Sequence, residues 1–315
     1  MNKPVQMVFL DAATIGRVDN LAKITSLGEY KSWELTAQGE RIGRIRGHNV
    51  VITNKVVIDR DVMDACPELS LICIVATGTN NVDLAYAAKK GISVKNVAGY
   101  STNSVAQCTF AMLFYLLHAS RYYDDYVKSG QYAASPMFTH LGREFGELAG
   151  KRFGIIGMGA IGKRVASVAS AFGAEVVYTS TSGKNLDAGY RQLPVDELLA
   201  VADVVSVHCP LNEQTRNLLC DSRLRLMKPT AYLLNMGRGG IVDEEALARL
   251  LDDNRIAGAA LDVLAAEPMA KGSPLLKVRD KEKLYITPHI AWAGLEARRR
   301  LVERTAENIR NHFGL

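Results

Sequence analysis

The chain has 315 residues, 48% hydrophobic and 23% charged, with a formal net charge of +5. This is ordinary globular composition for roughly two domains; the dispersed positive charge suits small anionic ligands and argues against a nucleic-acid-binding stripe. The longest apolar run, Cys108 to Leu117, is too short to span a bilayer, and the amino terminus enters a strand with no room for a signal peptide, so a cytoplasmic protein is expected.

In chain order, the first third alternates short apolar strands with polar helical segments. The strands are expected at Val5–Leu10, Lys31–Leu35, Asn49–Thr53, Leu69–Ala76 and Ile92–Asn96, with helices such as Asp59–Cys66 and Leu84–Lys90 between them. Alternation of this kind argues for a parallel, doubly wound α/β sheet covered on both faces. A long helix is expected from Ser101 to about Ser129, capped by Ser101 or Thr102 and stopped by Gly130. A loop from Gln131 to Gly146 follows. A second alternating array then begins at Lys151. Its strands are expected at Phe153–Ile156, Glu175–Thr179, Val204–His208, Ala231–Asn235, Gly258–Asp262 and Tyr285–Thr287, and the helix Leu295–Phe313 closes the chain. The predicted organisation is discontinuous. Residues 1–100 and 288–315 make one domain, and residues 101–287 make a second domain inserted in it. Cys66, Cys73, Cys108, Cys209 and Cys220 are scattered, with no paired or metal-ligating spacing. They read as free thiols of a reducing compartment, and no metal site is expected.

The second array opens with a strand, then Gly157-Met-Gly159-Ala-Ile-Gly162, then a helix. In that context each glycine has its own task. Gly157 permits a tight turn, Gly159 lets backbone approach a pyrophosphate, and Gly162 lets helix and strand pack closely. The helix start, at Ala160 and Ile161, aims free N–H groups at the phosphates. A dinucleotide site is expected here.

Three further residues stand out near the ends of later strands: Arg238 in Asn235-Met-Gly-Arg-Gly-Gly240, Glu267 before Pro268, and His289 after Pro288. Ligands of open α/β sheets bind at that edge. Taken singly, each has a plainer reading as a surface arginine, a turn residue or a satisfied histidine.

Together with Ala76-Thr-Gly-Thr-Asn-Asn-Val-Asp83 and Asn96-Val-Ala-Gly-Tyr-Ser101, these motifs resemble the D-isomer-specific 2-hydroxyacid dehydrogenases over nearly the whole chain. The resemblance is strongest to the glycerate dehydrogenase (hydroxypyruvate reductase) branch. It implies a Rossmann-type cofactor domain inserted in a flavodoxin-like substrate domain, a cleft between them, and a homodimer built through the helix near residues 101–129. It also implies hydride transfer between NAD or NADP and a small anionic 2-oxoacid such as hydroxypyruvate or glyoxylate. In such a reaction Arg238 would bind the carboxylate and polarise the carbonyl. His289 would give the proton, and Glu267 would orient its ring and favour the imidazolium. Backbone amides of Thr77, Gly78 and Thr79 would hold the substrate. Besides the glycine turn, Ser180, Thr181, Lys184, Cys209, Pro210, Thr215, Met236, Gly237 and Asp262 would touch the cofactor. Asp262 has a plainer reading too, as a residue that caps or turns the chain.

One position departs from the family pattern. An acid that holds the ribose hydroxyls of NAD is expected at the end of the second strand of the array. Ser180 stands there, followed by Thr181, Ser182 and Lys184. Without the carboxylate nothing repels a 2′-phosphate, so NADP is an expected cofactor. Three other readings use the same scaffold. They are a nucleotide-sensing corepressor, a phosphoglycerate dehydrogenase, and a formate or phosphite oxidoreductase. The first would be expected to bear disordered tails and many of the second an appended domain, neither of which is expected here, and the Glu267–His289 pair argues against formate chemistry.

Overall fold

The structure, a computed structural model, describes residues 4–185 and 189–315. Its contacts divide the chain into two compact units, Met1–Ser101 with Ala293–Leu315, and Thr102–Trp292.

The first unit runs β1 (Gln6–Phe9), α1 (Ala22–Thr25), β2 (Glu29–Ser32), α2 (Arg41–Ile45), β3 (Val50–Thr53), α3 (Arg60–Ala65), β4 (Leu71–Ile74), α4 (Leu84–Lys89) and β5 (Ser93–Asn96). The strands form an all-parallel sheet of order β2-β1-β3-β4-β5, the flavodoxin-like winding. The central strands β3 and β4 read Val-Val-Ile-Thr and Leu-Ile-Cys-Ile, and every residue in them is buried. Continuous apolar runs of this kind are what a sheet covered on both faces requires. Asp59 and Asp83 start α3 and α4 by accepting from the N–H of Val62 and Tyr86, at 3.2 and 3.0 Å.

The second unit runs α5 (Thr102–Leu117), α6 (Ser120–Lys128), β6 (Arg152–Ile156), α7 (Ala160–Ala171), β7 (Glu175–Thr179), β8 (Arg191–Gln192), α8 (Val195–Val201), β9 (Val204–Val207), α9 (Asp221–Leu224), β10 (Tyr232–Asn235), α10 (Glu244–Asp252), β11 (Gly258–Leu261) and β12 (Leu284–Ile286). Its parallel sheet has the order β12-β11-β10-β9-β6-β7-β8. Strand order therefore reverses at β6, which is the Rossmann-type switch point. One face is covered by α8 and α10 around Leu198, Leu247 and Leu251. The other is covered by α5 and α7 around Phe110, Leu113, Phe153 and Val165. Gly154 explains the tight fit of α8, because a Cβ there would lie 2.6 Å from Leu198 Cδ2. The closing helix α11 (Leu295–Phe313) belongs to the first unit, where it buries Leu301, Val302, Ala306 and Ile309 and packs against α1 and β4.

Three details differ from the sequence-based expectation. The long helix is broken at Ala119, which takes a left-handed conformation (φ 47°). The break releases α6 to stack its Tyr126 ring on His140 at 3.7 Å, whereas a helix continuing to Ser129 would carry α6 along the axis of α5. The strand expected at Lys31–Leu35 lies at Glu29–Ser32, on an exposed sheet edge where burial gives no alternation. The division falls after Trp292 rather than before Pro288, so His289 belongs with the second unit. Among the described residues no helix is long and apolar enough to cross a membrane.

Candidate active site

The switch point comes first. Gly157 follows β6 with φ 99°, a backbone that favours glycine, and a Cβ there would sit 2.6 Å from Cys209 N. Gly162, in the first turn of α7, lies so close to the strand end that a Cβ would be 2.2 Å from Gly157 O. Gly159 caps α7 with open space above it. Gly157 thus makes the tight turn and Gly162 the close packing that their spacing implies, and the N–H groups of Ala160 and Ile161 lie at a helix start.

Two orphaned polar atoms flank this turn. Ser180 follows β7 and His208 follows β9, the two strands that pair with β6. Ser180 Oγ and His208 Nδ1 are buried with no hydrogen-bond partner among the described residues. Burial pushes the His208 imidazole down to about 3, so the ring is neutral, and its Nε2 lies 2.8 Å from Ser206 Oγ. Unsatisfied buried groups on the strands that flank a helix start fit a dinucleotide that supplies the missing partners. Thr181 and Lys184 continue beyond Ser180, with Lys184 exposed.

Thr215 is bonded within the loop that follows Cys209. It is 1% exposed, and its Oγ1 donates to Pro210 O at 2.7 Å while accepting from Asn212 N at 2.8 Å. The hydroxyl thereby shapes the turn after Cys209 and Pro210.

The remaining residues leave three adjacent parallel strands. β10 ends at Asn235 and leads to Met236, Gly237 and Arg238. β11 leads to Asp262 and Glu267, and β12 leads to His289. His289 Nδ1 donates to Glu267 Oε2 at 2.7 Å. A carboxylate only accepts, so Nδ1 carries the hydrogen and Nε2 is the working nitrogen. Glu267 is itself oriented, because its Oε1 accepts from Leu264 N at 3.0 Å.

His289 also has a left-handed backbone (φ 55°), a conformation a histidine adopts only when its surroundings enforce it. Asp262 does the enforcing. It is 2% exposed, and its backbone carbonyl accepts from His289 N at 2.9 Å. Its carboxylate accepts from Thr287 Oγ1 at 2.7 Å, Ile290 N at 2.8 Å and Ala291 N at 3.0 Å. Asp262 thus anchors the start of the His289 segment, in line with its plainer reading.

Arg238 is half-buried, and its Nη1 donates to Gly237 O at 2.8 Å. Its loop touches that of Glu267 directly, since a Cβ on Gly239 would lie 1.7 Å from Leu264 O. A forked cation, an imidazole with a defined donor nitrogen and an acid therefore share one sheet edge within the second unit. That set can bind a carboxylate and move one proton. Thr77, Gly78 and Thr79 follow β4 at the corresponding edge of the first unit, where Thr77 O accepts from Asn96 Nδ2 at 2.6 Å. Sequence reasoning assigned no role to Asn235, Gly239 or Glu244, whose Oε1 accepts from Ala265 N at 2.6 Å. An Asn two residues before a glycine at a strand end was the available signal.

Comparison with known proteins agrees with this architecture. Residues 110–291 match the profile of the D-isomer specific 2-hydroxyacid dehydrogenase NAD-binding domain. A glycerate dehydrogenase from Methylorubrum extorquens is 34% identical over 96% of this chain and 95% of its own length. The chain belongs to the D-2-hydroxyacid dehydrogenase family. It is an oxidoreductase of 2-hydroxyacids that uses NAD or NADP. Among solved structures, the TT0316 protein from Thermus thermophilus superposes with a TM-score of 0.85 at 34% identity, covering 98% of this chain and 96% of that one. An acyclic imino acid reductase in complex with NADPH and D-arginine superposes with a TM-score of 0.86 at 28% identity, covering 98% and 97%.

Proposed function

We propose that this dehydrogenase reduces a small 2-oxoacid, hydroxypyruvate or glyoxylate, to the D-2-hydroxyacid, D-glycerate or glycolate. The observation that carries the reading is the 2.7 Å contact of His289 Nδ1 with Glu267, on the sheet edge that also presents Arg238. The bound reduced cofactor supplies the hydride to C2. Arg238 grips the substrate carboxylate with its planar donors and draws charge from the carbonyl. Nε2 of His289 gives its proton to the carbonyl oxygen as negative charge grows there. Glu267 holds the ring through Nδ1 and stabilises its charged form until the proton leaves. Substrates with one or two carbons beyond the carboxylate are favoured by the likeness to the glycerate dehydrogenase. A panel of 2-oxoacids, followed by loss of reduced-cofactor absorbance, tests this. Hydroxypyruvate and glyoxylate are expected to exceed branched or aromatic 2-oxoacids in kcat/KM by about tenfold or more. Turnover of only the bulky acids would overturn the assignment.

The cofactor preference follows from Ser180. Its buried, unpartnered Oγ stands where an acid would exclude a 2′-phosphate, and Thr181, Ser182 and Lys184 add donors that suit one. We assign NADPH as the preferred reductant, to be read as a lower Kd than NADH in fluorescence titration; a tenfold preference for NADH would refute it. The homodimer suggested by the family is supported by the loop after α6, where Phe138 is 91% and Leu141 82% exposed. The free cysteines suit the cytoplasm.

A further inference from the structure

Asn235 ends β10 and is 2% exposed. It uses both halves of its carboxamide on the turn that follows. Its Oδ1 accepts from Gly237 N at 3.1 Å, and its Nδ2 donates to Arg238 O at 3.0 Å. Its own carbonyl accepts from Asp262 N at 3.1 Å, where the loop that carries Glu267 begins. One residue therefore ties the exits of β10 and β11 together.

Regular pairing gives the turn little other support. The last ladder bond on its entry side is Met236 N to Val207 O, at 3.2 Å. On its exit side the backbone is next held by Asn217 N donating to Gly240 O, at 2.7 Å. Between those points, the Asn235 side chain sets the path of Gly237 and Arg238. No other side chain of this length both accepts from one residue and donates to the next. Aspartate would set an anionic oxygen against the Arg238 carbonyl, and serine would reach only one of the two groups.

We infer that Asn235 is the positioning residue for Arg238, fixing the turn from which the guanidinium reaches the substrate carboxylate. This rests on the reading of Arg238 as the carboxylate-binding group and adds what sets its reach. Groups that bind a reacting molecule must be held within about 0.5 Å, and a misplacement of about 1 Å costs on the order of 10²-fold in rate.

The test uses the full chain carrying Asn235→Asp or Asn235→Ser, each alone and combined with Arg238→Lys. Thermal unfolding reports whether the variants fold, and the serine variant, which keeps an acceptor for Gly237, serves if the aspartate variant does not. The readouts are kcat/KM for hydroxypyruvate and the Kd of oxamate, an unreactive 2-oxoacid analogue, on the enzyme–cofactor complex. Each Asn235 variant is expected to lose about 10- to 100-fold in both. Added to Arg238→Lys, the same change is expected to cost less than about threefold more, because both act through one group. Losses that multiply in the double variants, normal oxamate affinity in the single ones, or a loss confined to cofactor affinity would each overturn the inference while leaving the reading of Arg238 intact. If Arg238→Lys alone leaves oxamate affinity and kcat/KM unchanged, the reading of Arg238 falls first and the inference with it.

Discussion

Gly239→Ala is the sharpest perturbation this architecture offers. Gly239 has no need of glycine's backbone freedom, since it is absent from the residues with positive φ. Its requirement is space. A Cβ would sit 1.7 Å from Leu264 O and 2.1 Å from Leu264 C, both backbone atoms that cannot rotate away. Restoring the 3.0 Å below which real Cβ contacts hardly occur means parting the two loops by about 1.3 Å. One loop carries Arg238 as the preceding residue. The other carries Leu264, whose N–H holds Glu267 at 3.0 Å, and Glu267 holds His289 at 2.7 Å. A shift of that size is expected to cost on the order of 10²-fold in kcat/KM, or about 2.7 kcal/mol of transition-state stabilisation. Overpacking is expected to remove about 1–3 kcal/mol of stability. The control is Gly240→Ala. There φ is 78° but the nearest atom to a Cβ is 3.7 Å away, so about 1–2 kcal/mol of stability is lost with kcat/KM largely kept. Steady-state kinetics and thermal unfolding of both variants decide the matter. Gly239→Ala turning over within about threefold of wild type would refute the claim that the two loops depend on this contact.

His289→Ala is expected to lower kcat for hydroxypyruvate reduction on the order of 10²–10⁴-fold while cofactor titration shows unchanged affinity; turnover near wild type would remove the imidazole from proton transfer. Asp262→Asn places an N–H₂ against the N–H of Ile290 or Ala291, so it is expected to cost about 1–3 kcal/mol of stability and to depress kcat as the His289 backbone relaxes; urea unfolding with kinetics checks this. Ser180→Asp restores the missing acid and is expected to weaken NADPH binding by tenfold or more, roughly 1.4 kcal/mol, with NADH affected far less; equal effects on the two cofactors would contradict the 2′-phosphate assignment. His208 titrates at about 3 when folded and from 6.5 when unfolded. The unfolded chain therefore takes up the proton first, and stability is expected to fall as pH drops below 6.5, by about 2 kcal/mol at pH ~5. His208→Asn is expected to flatten that part of the profile in denaturant titrations.

Local pattern carried most of the fold. The strand Glu175–Thr179 and the helix Leu295–Phe313 lie where apolar spacing puts them, because burial on both faces, or on one stripe, leaves a period in the sequence. The break at Ala119 left no trace of that kind. No glycine or proline marks it, and the stacking that accompanies it involves His140, far along the chain. The short strand Arg191–Gln192 is exposed and equally silent. At the site, Gly157 and Gly162 were legible because their chemistry is local. The particular partners of Asp262 and Thr215 were not, since what occupies a carboxylate or a hydroxyl is set by tertiary structure. Asn235 was in plain view within its motif, yet its bonds to Gly237 and Arg238 became visible only with coordinates.

The unit Thr102–Trp292 contains the glycine turn, Arg238, Glu267 and His289 together. The places of Arg238, Glu267 and His289 relative to the glycine turn are thus set by contacts inside one folded unit.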